Sequence, residues 1–174
     1  MFVGESGTEL LFRLISTAML EAPDGGDVVG STLDHPASVS ACDRWAAITK
    51  RNFVRVPHNS DTGTVTVDDD RPYVTKDTRV ATILHTSPVT GMAMDVPGIA
   101  ALIRDVSPDC FIIVDGIQHA AHGGLNVDSY GIDGYAISPY KMFSRHGYGI
   151  SWVSERLGSL PHNSLIGAPA DQWD

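Results

Sequence analysis

Apolar positions along this chain follow two periods that take turns. Leu10, Leu11, Leu14, Ile15, Ala18 and Met19 recur at i, i+3 and i+4, which predicts one apolar helix face ending before EAPDGGD. Short β-branched runs predict strands at Met1 to Val3, Asp27 to Leu33, Asn52 to Val56, Arg79 to Thr86, Cys110 to Val114, Gly131 to Ile137 and Tyr148 to Ser154. Further helices fit Ala37 to Lys50 and Val96 to Asp105. Runs such as VATILH and FIIVD are apolar on both faces, as strands of a parallel sheet covered by helices must be. The expected fold is α/β, three layers α/β/α around a mostly parallel, seven-stranded sheet. The stretch PHNSDTGTVTVDDDRP interrupts the pattern and reads as an exposed loop with a small strand pair.

Composition narrows the partners. The 174 residues fit one domain, 1–174, and 43% hydrophobic with 19% charged residues is globular composition that argues against disorder. A formal net charge of -9 without any Lys/Arg run argues against a nucleic-acid partner. No apolar run approaches the ~20 residues that span a bilayer, and MFVGESGTELLF lacks the basic and apolar regions of a leader, so a cytoplasmic protein with a small-molecule partner is expected. Cys42 and Cys110 have no CxxC spacing and read as reduced core residues.

In α/β sheets ligands bind beyond the carboxyl ends of the strands. The segments there are polar: GESGT, DHPAS, HTSPVTG, DGIQHAAH and SPYK. SGTE opens a helix, where free amides and a glycine make a phosphate site; the same residues also suit a cap, with Ser6 or Thr8 as the capping side chain. Asp115 ends a buried strand and needs a cationic or hydrogen-bonding partner, or caps the next turn. Gln118 follows three residues on. His119 and His122 form an HxxH with no third ligand, which fits a surface helix better than a metal site. Lys141 follows an apolar strand. A lysine amine held in an apolar pocket is a nucleophile able to form a Schiff base, whereas a snorkelling lysine keeps its head in water. SPYK also matches the SxxK pattern of serine hydrolases, with Ser138 as nucleophile, but SDN and KTG are missing.

In this order SGTE, DHPAS, VDGIQ and SPYK resemble the class V aminotransferase and cysteine desulfurase family of fold-type I pyridoxal phosphate enzymes. The stretch VDGIQHAAHGGLNVDSYGIDGYAISPYKMFSRHGYGISWV looks like the family's Asp strand, lysine strand and glycine loop without a gap. The resemblance implies pyridoxal 5'-phosphate as cofactor, a small amino acid as substrate and a homodimer. It assigns Lys141 the Schiff base and the proton at the substrate α-carbon, Asp115 the pyridinium nitrogen, and Gln118 the phenolic oxygen. His35 would stack on the ring and shuttle protons; Gly7, Thr8 and Ser138 would bind phosphate, with Tyr140 in reach of it. Two positions depart from the family: Pro88 stands where many relatives carry an amide or acid, and Tyr140 where desulfurases carry His. Both weigh against a housekeeping desulfurase. The resemblance covers the family's large-domain core, with its N-terminal segment and C-terminal small domain absent. The second expectation is accordingly a domain that keeps the fold, and the cofactor, without turnover.

Overall fold

The computed structural model describes residues 1–159. Among them, β1 (Phe2–Gly4), β2 (Asp27–Ser31), β3 (Asn52–Val56), β4 (Thr78–Leu84), β5 (Phe111–Asp115), β6 (Gly134–Ile137) and β7 (Gly149–Val153) form one sheet in the order β1-β7-β6-β5-β4-β2-β3. Every neighbouring pair is parallel except those of β7, which runs against both β1 and β6. The α/β, mostly parallel seven-stranded expectation holds. Strand ends coincide with the expected ones or move by up to three residues; the sixth strand starts at Gly134, since Gly131 sits at φ 71 in a turn.

Helices α1 (Gly7–Glu21) and α2 (Pro36–Thr49) cover one face, burying Leu10, Leu11, Leu14, Ile15, Ala41 and Cys42 against Val28, Val80, Ile113 and Ala136. Helices α3 (Val67–Asp70) and α4 (Val96–Val106) cover the other, packing Val96, Ile99 and Ile103 with Ala81, Ile83, Ile112 and Val114. A short α5 (Glu155–Gly158) follows β7. Successive strand residues thus supply alternate cores, which is why these strands read as apolar on both faces.

The helix ends are closed by specific groups. Ser6 caps α1 by accepting from the Glu9 amide at 3.1 Å, and Glu9 in return accepts from the Glu5 amide at 2.6 Å. At the other end the buried Arg51 guanidinium donates to the carbonyls of Ala22 and Pro23, both at 2.9 Å, and of Gly25. Asp133, 2% exposed, receives Arg104 at 2.6 Å, Arg156 at 3.3 Å and the Ile112 amide at 2.9 Å, fastening the start of β6 to β5.

The interrupting stretch is less exposed than its polarity suggests. The bridge Asn59–Thr64 gives the small strand pair, but the Thr66/Asp69 capping box then starts α3, and Val65 and Asp70 are buried, as is Val74 just beyond the stretch. Two valines closing onto the second core draw a polar stretch inward.

Candidate active site

The carboxyl ends of β2, β4, β5 and β6 open on one crevice, lined by Thr8, His35, Leu84, Pro88, Asp115, Ile117, Gln118, Ser138, Tyr140 and Lys141. Seven of the eight expected site residues line it. The eighth, Gly7, lies just behind: it is buried, and a Cβ there would strike Ser138 Oγ and the Ile117 side chain. The α1 N-terminus and the β6 end therefore meet only because residue 7 has no side chain. Gly149 does the same from below, since a Cβ on it would collide with the Ser6 and Gly7 backbone.

Both readings of SGTE hold together. Ser6 satisfies the Glu9 amide and Leu10 bonds the Ser6 carbonyl at 3.1 Å, which leaves the Gly7 and Thr8 amides without an acceptor among the described residues. Those amides are the free positive end of a helix.

Asp115, 5% exposed, accepts from the Ile117 amide at 3.0 Å, so the turn-capping alternative is realised as well. Burial pushes its carboxyl up to about 6, against the opposing pull of the Ile117 amide and the Lys141 charge. Lys141 lies in a 3₁₀ turn, Pro139–Met142, half-buried, with its Nζ donating to Gln118 Oε1 at 2.8 Å. Its head group is bonded across the crevice rather than snorkelling. Ser138 is not its partner, so the Ser–Lys contact a serine hydrolase of the SxxK kind needs is missing. Tyr140 stacks on His146, ring centroids 4.6 Å apart.

His35 has a task that sequence pattern did not show. Its Nδ1 accepts from the Ala37 amide at 3.1 Å and so caps α2, which places the proton of the neutral ring on Nε2. Burial, then the Lys141 charge, lower its pKa.

Two further groups were missed because their partners are distant in sequence. Asp34, next to His35, accepts from Ser31 Oγ at 2.7 Å and from Thr82 Oγ1 at 2.8 Å, and burial holds its carboxyl at about 6. His85 and His119 stack face to face with ring centroids 3.4 Å apart; His85 Nδ1 meets the Tyr135 hydroxyl at 2.7 Å and His119 Nδ1 the Thr86 hydroxyl at 2.8 Å. The HxxH segment is a short 3₁₀ helix, His119–Ala121, with none of its residues buried, so the surface-helix expectation holds in 3₁₀ rather than α form, with the His119 ring packed on His85. No group of three His, Cys, Asp or Glu residues among those described could hold a metal. No helix among them is long and apolar enough to cross a membrane.

The aminotransferase class-V family model matches residues 2–171. The chain belongs to that family. Its curated relatives include the "Cysteine desulfurase-like protein ustD" of Aspergillus flavus, 29% identical over 80% of this chain and 33% of its own length. A "Probable cysteine desulfurase" of Chlamydia trachomatis is 32% identical over 79% of this chain and 34% of the relative. Among solved structures, the cysteine desulfurase CsdA of Escherichia coli superposes with a TM-score of 0.82 at 24% identity, over 90% of this chain and 39% of that one. The fold is thus that of the family, and the chain spans about a third of the length of these two curated relatives. Class V aminotransferases and cysteine desulfurases are pyridoxal phosphate-dependent enzymes.

Proposed function

We propose that this chain is the cofactor-binding core of a pyridoxal phosphate enzyme that acts on a small amino acid, with Lys141 as the residue that anchors the cofactor. One observation carries the reading. A primary amine and a buried carboxylate face one crevice, and the amide between them in sequence bonds the amine at 2.8 Å.

The donor set suits each end of the cofactor. The unclaimed Gly7 and Thr8 amides and the Ser138 hydroxyl would take the phosphate, because a helix N-terminus favours a dianion. Asp115 would face the ring nitrogen. Its carboxyl is pushed up to about 6 by burial, and a cation beside it would relieve that penalty. Gln118 would donate to the phenolic oxygen, His35 would flank the ring, and Tyr140, which lines the crevice, would approach the phosphate. Bound there, pyridoxal phosphate supplies an electron sink for charge developing at the substrate α-carbon.

The residues of the chain then divide the work. Lys141 holds the cofactor through its amine and, once released, carries the proton at Nζ to or from the α-carbon. Asp115 keeps its charge opposite the ring nitrogen. His35, committed at Nδ1 to the α2 cap, offers Nε2–H to the crevice as a donor. Cys42 and Cys110 are buried in the core and take no part, so a sulfur-transferring cysteine is not among the described residues. A homodimer is the proposed assembly of the full-length protein.

The test is an absorbance spectrum of the purified chain after adding pyridoxal phosphate and removing the excess, run beside Lys141→Ala. A visible-edge band that borohydride traps on the Lys141 peptide supports the reading. A folded sample without the band sinks it. Amino acids added to the loaded protein then separate a catalyst, whose spectrum they change, from a domain that only holds the cofactor.

A further inference from the structure

We infer that His122 is a positioning residue for Lys141, acting through the side-chain amide of Gln118. The inference rests on Lys141 being the cofactor anchor, and it goes beyond that reading because His122 lines no part of the crevice.

Gln118 and His122 stand at the two ends of one 3₁₀ turn, His119–Ala121, closed by the His122 amide on the His119 carbonyl at 2.8 Å and the Ala120 amide on the Gly116 carbonyl at 3.0 Å. The turn is pinned from within: the His119 ring stacks on His85 and its Nδ1 meets Thr86. Residues 118 and 122 are therefore held four apart on a rigid support. Gln118 Nε2 lies 3.3 Å from His122 Nε2, while Gln118 Oε1 accepts from Lys141 Nζ at 2.8 Å.

Donor and acceptor chemistry fixes the direction of this chain of bonds. An ammonium only donates, so the Gln118 carbonyl must face Lys141. The amide nitrogen then faces His122, and because it also only donates, His122 Nε2 must be the acceptor and the ring proton must sit on Nδ1. With His122 present, one orientation of the amide satisfies both neighbours, and the opposite one sets donor against donor at Lys141. His122 thus adds a second bond to the amide orientation that Lys141 already demands, and the amine stays parked in the cofactor-free protein. Capture of an aldehyde by that amine, which must first shed a proton and then expels the carbonyl oxygen as water, requires the amide to let go of it.

Removing the His122 acceptor takes away that second bond, so the amide holds the amine less firmly. The net worth of one hydrogen bond corresponds to roughly a fivefold change in rate. His122 is exposed, so its replacement leaves the core intact. The experiment follows capture of pyridoxal phosphate by the cofactor-free protein in stopped-flow absorbance, together with the ¹⁵N side-chain amide signal of Gln118. His122→Ala is expected to capture about fivefold faster and to move the Gln118 signal; His122→Gln, which keeps an acceptor, is expected to behave as wild type. In a Gln118→Ala background the His122→Ala effect should vanish. A His122→Ala protein with an unmoved Gln118 signal and wild-type capture overturns the inference, as does an effect that persists without Gln118. If wild type captures no cofactor at all, the anchor reading fails, and the Gln118 signal alone decides whether His122 orients the amide.

Discussion

The Thr82 hydroxyl on β4 donates to the Asp34 carboxylate at 2.8 Å, across 48 residues of chain. With Ser31 Oγ at 2.7 Å on the other oxygen, that bond ties the turn carrying His35 to the middle of the sheet. Asp34→Ala leaves two buried hydroxyls without their acceptor, and is expected to cost about 2 kcal/mol. Urea unfolding measures the loss; an unchanged midpoint would show that the turn is held by other means.

Three buried carboxyls set the pH response. Burial raises Asp34 to about 6, Asp115 to about 6 and Asp70 to about 7, the last helped by the nearby Asp34. A raised carboxyl contributes stability that is present below its unfolded value and lost as pH rises through the folded one. His85, lowered to about 4 by burial and then by His119, works in the other direction, its contribution being lost as pH falls from the ordinary histidine range toward 4. The opposing effects overlap, and His35 and His119, also lowered by burial, add to that of His85 through the ordinary histidine range. The Asp70 share is isolated by a variant: wild type is expected to lose stability relative to Asp70→Asn as pH rises from about 6 to 8. The denaturation midpoint of the variant should gain on that of wild type over that interval, and a difference that stays constant with pH would remove Asp70 as the cause.

Gly149→Ala forces a methyl into the Ser6 and Gly7 backbone. Backbone cannot step aside as a side-chain end can, so a loss of about 3 kcal/mol is expected, in the range of overpacking. Gly25→Ala makes the contrast: nothing lies near that position, and the penalty there comes from its φ of 76 alone. Thermal unfolding of the pair ranks them, and an equal loss at both sites would deny the close approach.

The thiols should be inert. Cys42 and Cys110 are fully buried, and burial pushes the Cys110 thiol up to about 12 and that of Cys42 higher still. Iodoacetamide is expected to leave both unmodified in native protein and to label both in guanidinium. Fast native labelling of either would show that its core opens.

Much of this molecule is legible from local pattern. Periodicity reports which face of an element is buried, so the helix and strand alternation, the two-sided strands and the α/β class follow from residues within one turn or one pleat of each other. The same holds for the polar segments after each strand, and with them Asp115, Gln118 and Lys141 could be singled out before any contact was known. Strand order is different. The reversal of β7 between β1 and β6 depends on which strands pair. So do the bond from Thr82 to Asp34, the stack of His85 on His119 and the line from Lys141 through Gln118 to His122. Each joins residues that only the register of a folded sheet, or the closing of a 3₁₀ turn against it, brings within hydrogen-bonding or van der Waals range. Nor could polarity foretell that Asp70 would be buried, because the valines that draw it inward, Val65 and Val74, pack into a core assembled from strands distant in sequence.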